Sequence, residues 1–188
     1  SLPVKGPVRP NALDVDNPNI QNFVHREGIV CLNITNWGVF GNYGPWQSNP
    51  DPMADPCSDE WAPQGDYPCG SGQEYLYLGT LWIGGLVTDS GYTHPRVSVG
   101  FDGWFSVMEM FPGEGAENGI VQLSNIPGRL DCDGADIYDP QARANEEFVA
   151  EYSDTLTDPF WMQDDPVDGP HRPLGVEVTQ TSMAWSSP

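Results

Sequence analysis

The chemistry this chain offers is densest between Asp131 and Pro140, which read DCDGADIYDP. Asp131, Asp133, Asp136 and Asp139 place four carboxylates within nine positions. Carboxylates that close repel one another unless a cation sits among them. Calcium takes six to eight hard oxygens, commonly from one tight loop plus a more distant residue. Here side-chain oxygens stand at loop positions 1, 3, 6 and 9, and Gly134 permits a sharp turn. An EF-hand needs glycine at position 6 and glutamate at position 12, whereas this loop has glycine at 4 and Ala142 at 12. The stretch is therefore no EF-hand. A calcium loop of another kind and a solvated acidic turn both fit it. Asp139, followed by Pro140, also reads as the N-cap of a short helix over 140–147.

The other reactive side chains are scattered. Asp158, Asp164, Asp165 and Asp168 form a looser acidic run, interrupted by proline, that reads as a solvated face. His25, His94 and His171 lie far apart in sequence. No nucleophile elbow of the G-x-S-x-G kind occurs, and Ser71 between two glycines has no second signal. Glu74 and Glu109 have no spacing that marks a glycosidase pair. These residues predict a protein that is not an enzyme. Trp46, Trp61 and Trp161 stand in proline-rich loops. Such rings either stack on glycans or a partner chain, or plug their own loops onto the body.

Composition limits the partners. Seven Lys and Arg against 27 Asp and Glu give a net charge of −20. A chain so acidic repels nucleic acid and anionic membrane surfaces. No apolar run approaches the ~18 residues of a membrane span. The start at Ser1 suits removal of an export signal. The four cysteines, Cys31, Cys57, Cys69 and Cys132, include no C-x-x-C, so zinc ribbons and thioredoxin-type sites are disfavoured. Disulfides in an oxidising compartment are expected instead. Cys57–Cys69 is the favoured bridge, closing a short loop worth roughly 3 kcal/mol of chain entropy. Cys31 and Cys132 then pair with each other or remain free.

The elements that must position these residues are short strands. Glycine and proline together exceed a fifth of the chain, interspersed with seven each of Trp, Tyr and Phe. Residues 1–20 lack periodicity and read as an extended N-terminal arm, leaving 21–188 as one domain. Strands are expected over 28–40 and over 74–88, the latter broken at Gly79 or at Gly84–Gly85. Others are expected over 95–101 and 120–125, and 104–111 reads as a strand or a segment leading into a loop. A further strand from 147 sets Phe148, Ala150 and Tyr152 on one side, and a last one alternates Leu174, Val176 and Val178. No helix-period segments separate the strands, which excludes an α/β fold. The prediction is an all-β protein: an antiparallel β-sandwich, jelly-roll-like, with long Pro/Gly-rich loops and at most one short helix.

The blocks YPCGSGQEYLYLGTLWIGG (67–85), VSVGFDGW (97–104), FVAEYSDT (148–155) and HRPLGVEVTQTSMAWS (171–186) give the chain a resemblance. It resembles the N-terminal region of large secreted or surface proteins of uncharacterised function from environmental bacteria. The resemblance implies export and a surface location, and it carries no catalytic residue. Members of that group have a small residue where Cys69 stands, which implies a private disulfide with Cys57. They also continue past the final strand, which implies a short member or a fragment. The expectation is a secreted, non-enzymatic structural subunit that assembles with copies of itself into a filament, tube or surface layer, with calcium on its acidic loops. The alternative is a carbohydrate-binding module.

Overall fold

The alternation at Phe148, Ala150 and Tyr152 organises the core. The computed structural model describes residues 18–41, 65–103, 107–131, 133–162, 164–166 and 169–186. These three side chains are almost wholly buried on the inner face of strand β8 (Glu146–Ser153). Strand β8 is the centre of a three-stranded sheet, flanked by β7 (Val121–Leu123) and β9 (Glu177–Ala184). A second sheet has the order β1 (Asn22–His25), β2 (Leu32–Thr35), β3 (Val39–Phe40) and β4 (Gly79–Thr80). Ile34 of β2 packs with Phe148, Ala150 and Tyr152, so the two sheets face each other across one apolar layer. Burial pushes the Tyr152 phenol up to about 12, and its hydroxyl donates to Gln180 Oε1 in that layer.

Two long strands, β5 (Trp82–Asp89) and β6 (Tyr92–Val99), form a separate hairpin with all eight pairs in register. Its turn is Ser90–Gly91, both with positive φ (51° and 84°), as a two-residue hairpin turn requires. Ile83 reaches into the inter-sheet core. Leu174 packs so closely on Gly85 that an added Cβ would lie 3.2 Å from its Cδ2. A second core cluster, with Trp37, Met108, Phe111 and Leu156, lies beside the first.

The fold is all-β, and every pairing between the named strands is antiparallel, in meanders and a hairpin. Among the described residues the only helical element is one 3-10 turn, Ala116–Asn118. No helix among the described residues is long and apolar enough to cross a membrane.

Four expectations shift. The strand expected over 28–40 divides into β2 and β3, because Thr35 Oγ1 bonds both the N–H and the C=O of Val39 and closes a tight turn. The 74–88 segment breaks at Leu81, whose N–H goes to Gly38 O, and Gly84–Gly85 lie within β5. Residues 107–111 form no strand: Glu109 N–H donates to Val99 O, and Phe111 meets Ser153 in an isolated bridge. The helix over 140–147 does not form. Asp139 Oδ1 takes the Gln141 N–H as an N-cap does, but the Arg143 N–H that a helix would give to Asp139 O goes to Glu147 Oε2, and Glu146 and Glu147 are paired in β8. Residues 18–20, at the end of the expected arm, are bound to the body. Asn19 N–H donates to Gly113 O, and Ile20 packs on the core.

Candidate interaction surfaces

The Cys57–Cys69 bridge is corrected by the structure. Cys69 pairs with Cys31, their Cα atoms 4.9 Å apart. Backbone pairing decides this. Cys31 and Asp66 exchange hydrogen bonds of 3.0 and 2.9 Å, and Cys69 N–H donates to Ile29 O. A long-range bridge between β2 and the 65–75 loop thus prevails over the short local loop that sequence spacing favoured. The loop is also tied by buried Asp66. Burial opposes its ionisation, but donors from Ser71 Oγ and from the Gly70, Gly72 and Gln73 amides outweigh that and hold its pKa below the usual value. Cys57 and Cys132 lie outside the described residues.

The aspartates of 131–139 do not converge. Asp131 Oδ1 accepts the N–H groups of Asp133 and Ala135, Asp136 Oδ1 accepts that of Tyr138, and Asp139 Oδ1 accepts that of Gln141. Each closes its own turn. Among the described residues no three His, Cys, Asp or Glu side chains are grouped as a metal would require. Asp168 lies outside the described residues, and Asp158 takes the Phe160 N–H.

Two histidines sit inside polar joints that sequence spacing hid. His25 Nδ1 lies 2.9 Å from Glu146 Oε2 and its Nε2 lies 2.7 Å from Ser182 Oγ. The order Ser–His–carboxylate is that of a hydrolase relay. Its setting is different. Ser182 is the register partner of Phe148 on the inner face, and the His25 ring stacks on Phe148 at 4.3 Å. Burial works against the charge of Glu146, yet His25 and the Arg26 and Glu27 amides keep its pKa low. The trio fastens β1 to the β8–β9 pair.

The second joint centres on His171, whose Nδ1 lies 2.8 Å from Glu109 Oε1 and whose Nε2 lies 2.7 Å from Asp154 O. The fully buried Asp154 carboxylate accepts from Ser98 Oγ and from the amides of Leu174, Gly175 and Val176. Glu109 Oε2 takes the Val99 N–H. This joint clamps the base of the β5–β6 hairpin to the end of β8. Burial disfavours a charged His171, but Glu109 and the Asp154 carbonyl and charge prevail and raise its pKa. His94 is on the hairpin's inner face, where its Nε2 accepts from Arg96 Nε.

The exposed features are apolar. The outer face of the hairpin carries Trp82, Gly84, Leu86 and Thr88 on β5, opposite Val99, Val97, Pro95 and Thr93 on β6. Not one is charged, in a chain of −20. All but Val99 are exposed, with Leu86 at 75% and Trp82 at 58%. The only polar side chains there, Thr88 and Thr93, bond each other at 2.8 Å.

No family model matches the chain, and no curated protein or solved structure does either. Its surfaces must therefore be read on their own.

Trp46 and Trp61 lie outside the described residues. Trp161 is half-buried, edge-on to Phe111 at 6.3 Å, and so plugs its loop onto the body. Its neighbour Phe160 is the exposed ring, at 82%. The two stand T-shaped at 5.2 Å and form one wall of an open cleft of about 730 Å³. Pro18, Ile20, Gly115 and Ala116 also line it. Sequence reasoning missed both the hairpin face and Phe160. The available signal was a pair of alternating sets either side of Ser90–Gly91, positions 82, 84, 86 and 88 and positions 93, 95, 97 and 99, all free of charge.

Proposed function

We propose that the protein is an exported, non-enzymatic structural subunit whose copies associate through the outer face of the β5–β6 hairpin. One observation carries this reading: a charge-free apolar face, exposed on a two-stranded sheet, in a protein of net charge −20. Contiguous exposed apolar patches mark contact sites, and a two-stranded sheet gains stability when its face is covered. An apolar face pairs most simply with its own copy about a two-fold axis. The commitment of His25 and His171 to interior joints supports a non-enzymatic role. The Cys31–Cys69 disulfide supports an oxidising, extracellular setting, as does the resemblance to surface proteins. Calcium enters as a screening ion for the acidic surfaces, without a defined ligand set.

Sedimentation velocity over a concentration series tests the reading. Wild type associates, and more strongly as salt screens the repulsion. The Leu86→Asp, Val97→Asp double variant associates at least about tenfold more weakly, a difference of about 1.4 kcal/mol. Wild type that stays monomeric, or a double variant that matches wild type, contradicts it.

A further inference from the structure

Pairing through a two-fold hairpin contact stops at dimers, and growth into a polymer needs a second contact, for which a heterologous one serves. We infer that the Phe160–Trp161 cleft is the acceptor for the proline-rich N-terminal arm of a second copy. This rests on the self-assembly reading above and names the joint that extends it.

Three observations point to this occupant. The cleft is open, walled by an exposed aromatic ring and its half-buried neighbour, the kind of surface on which proline-rich segments dock. The arm supplies such a segment: SLPVKGPVRP places Pro7 and Pro10 in a P-x-x-P pattern, with Pro3 before them. Charge agrees. Residues 1–10 hold Lys5 and Arg9 and no acid, which leaves five cations against 27 acids, a net −22, on the rest of the chain. The cleft rim is acidic, because exposed Glu114 and Glu117 flank the lining residues Gly115 and Ala116, and Asp158 precedes Phe160 by two positions. Arg9 and Lys5 thus meet carboxylates and ring faces together.

Pro18, where the described chain begins, is among the residues that line the cleft. A second copy is the occupant that a polymer requires, because an arm seated on its own body joins no neighbour.

Two full-length variants test this. In one, Pro7→Ala, Arg9→Glu and Pro10→Ala disable the arm. In the other, Phe160→Asp disables the cleft, at a ring exposed enough to leave folding intact. Electron microscopy and sedimentation should show wild-type polymers, dimers for each variant alone, and polymers again in an equimolar mixture, where arms and clefts are supplied by different chains. Either variant polymerising alone, or a mixture that remains dimeric, overturns the arm–cleft inference while assembly stands. Wild type that stops at dimers overturns it and leaves the hairpin contact. Monomeric wild type removes the assembly reading itself. If cellohexaose quenches tryptophan fluorescence in the arm variant but not in the Phe160→Asp variant, and the mixture stays dimeric, the cleft belongs to a glycan.

Discussion

The β8–β9 and β5–β6 pairs are both antiparallel with eight residues in register, yet one is covered and the other is not. On β8, Phe148, Ala150 and Tyr152 are each at most 3% exposed beneath the β1–β4 sheet. On the hairpin, Leu86 and Val97 stand 75% and 51% exposed on a face free of charge. Identical alternation therefore has two outcomes. Period-two patterning tells which face of a strand is apolar. It does not tell whether the chain's own sheets or another molecule's cover that face.

The largest test of this contrast is a pair of truncations. Phe148→Ala should cost about 3–5 kcal/mol of stability by urea unfolding, as a cavity in a packed layer does. Leu86→Ala should stay within about 0.5 kcal/mol in dilute protein, as an exposed site does. Equal losses would erase the distinction.

Next in size is the disulfide. The bridge spans 38 residues, so its removal by Cys31→Ser with Cys69→Ser should cost up to about 4 kcal/mol in the chain-entropy model. A Cys57→Ser change should leave the Cys31–Cys69 bridge intact in a peptide map.

A smaller effect is the pH dependence of the clamp between hairpin and β8. His171 has its pKa raised above 6.5 in the folded state by Glu109 and Asp154, against burial. Its contribution is therefore complete below about pH 6.5 and lost as pH rises through the folded pKa. Urea midpoints should fall on going from pH 6 towards pH 9, and His171→Gln should flatten that slope. A steeper slope in the variant would contradict the assignment.

The smallest effect concerns the acidic loop. Asp131→Ala should cost about 0.5–1.5 kcal/mol, the worth of hydrogen bonds to its own turn. The loss should be the same with calcium and with a chelator. A calcium-dependent loss would restore Asp131 as a ligand.

Much of the fold was legible in local patterning. The inner face of β8 and the all-β class follow from alternation and composition. What stayed hidden depends on contacts across the chain. Cys69 meets Cys31 because Asp66 pairs with Cys31, a bridge between segments about 35 residues apart. His171 finds Glu109 across 62 positions. Asp139 carries good N-cap chemistry, yet the Arg143 N–H is taken by Glu147 Oε2, and Glu146 and Glu147 are drawn into β8. Tertiary partners outweighed propensity at each of these sites.

If copies associate as proposed, the outer face of the hairpin is covered in the assembly, and hydroxyl-radical footprinting across a dilution series reads that cover residue by residue. As concentration rises, Leu86 and Val97 should become protected, while Tyr75 and Tyr77, exposed elsewhere on the chain, remain reactive. Polymers in which Leu86 and Val97 stay as reactive as in dilute protein would contradict it.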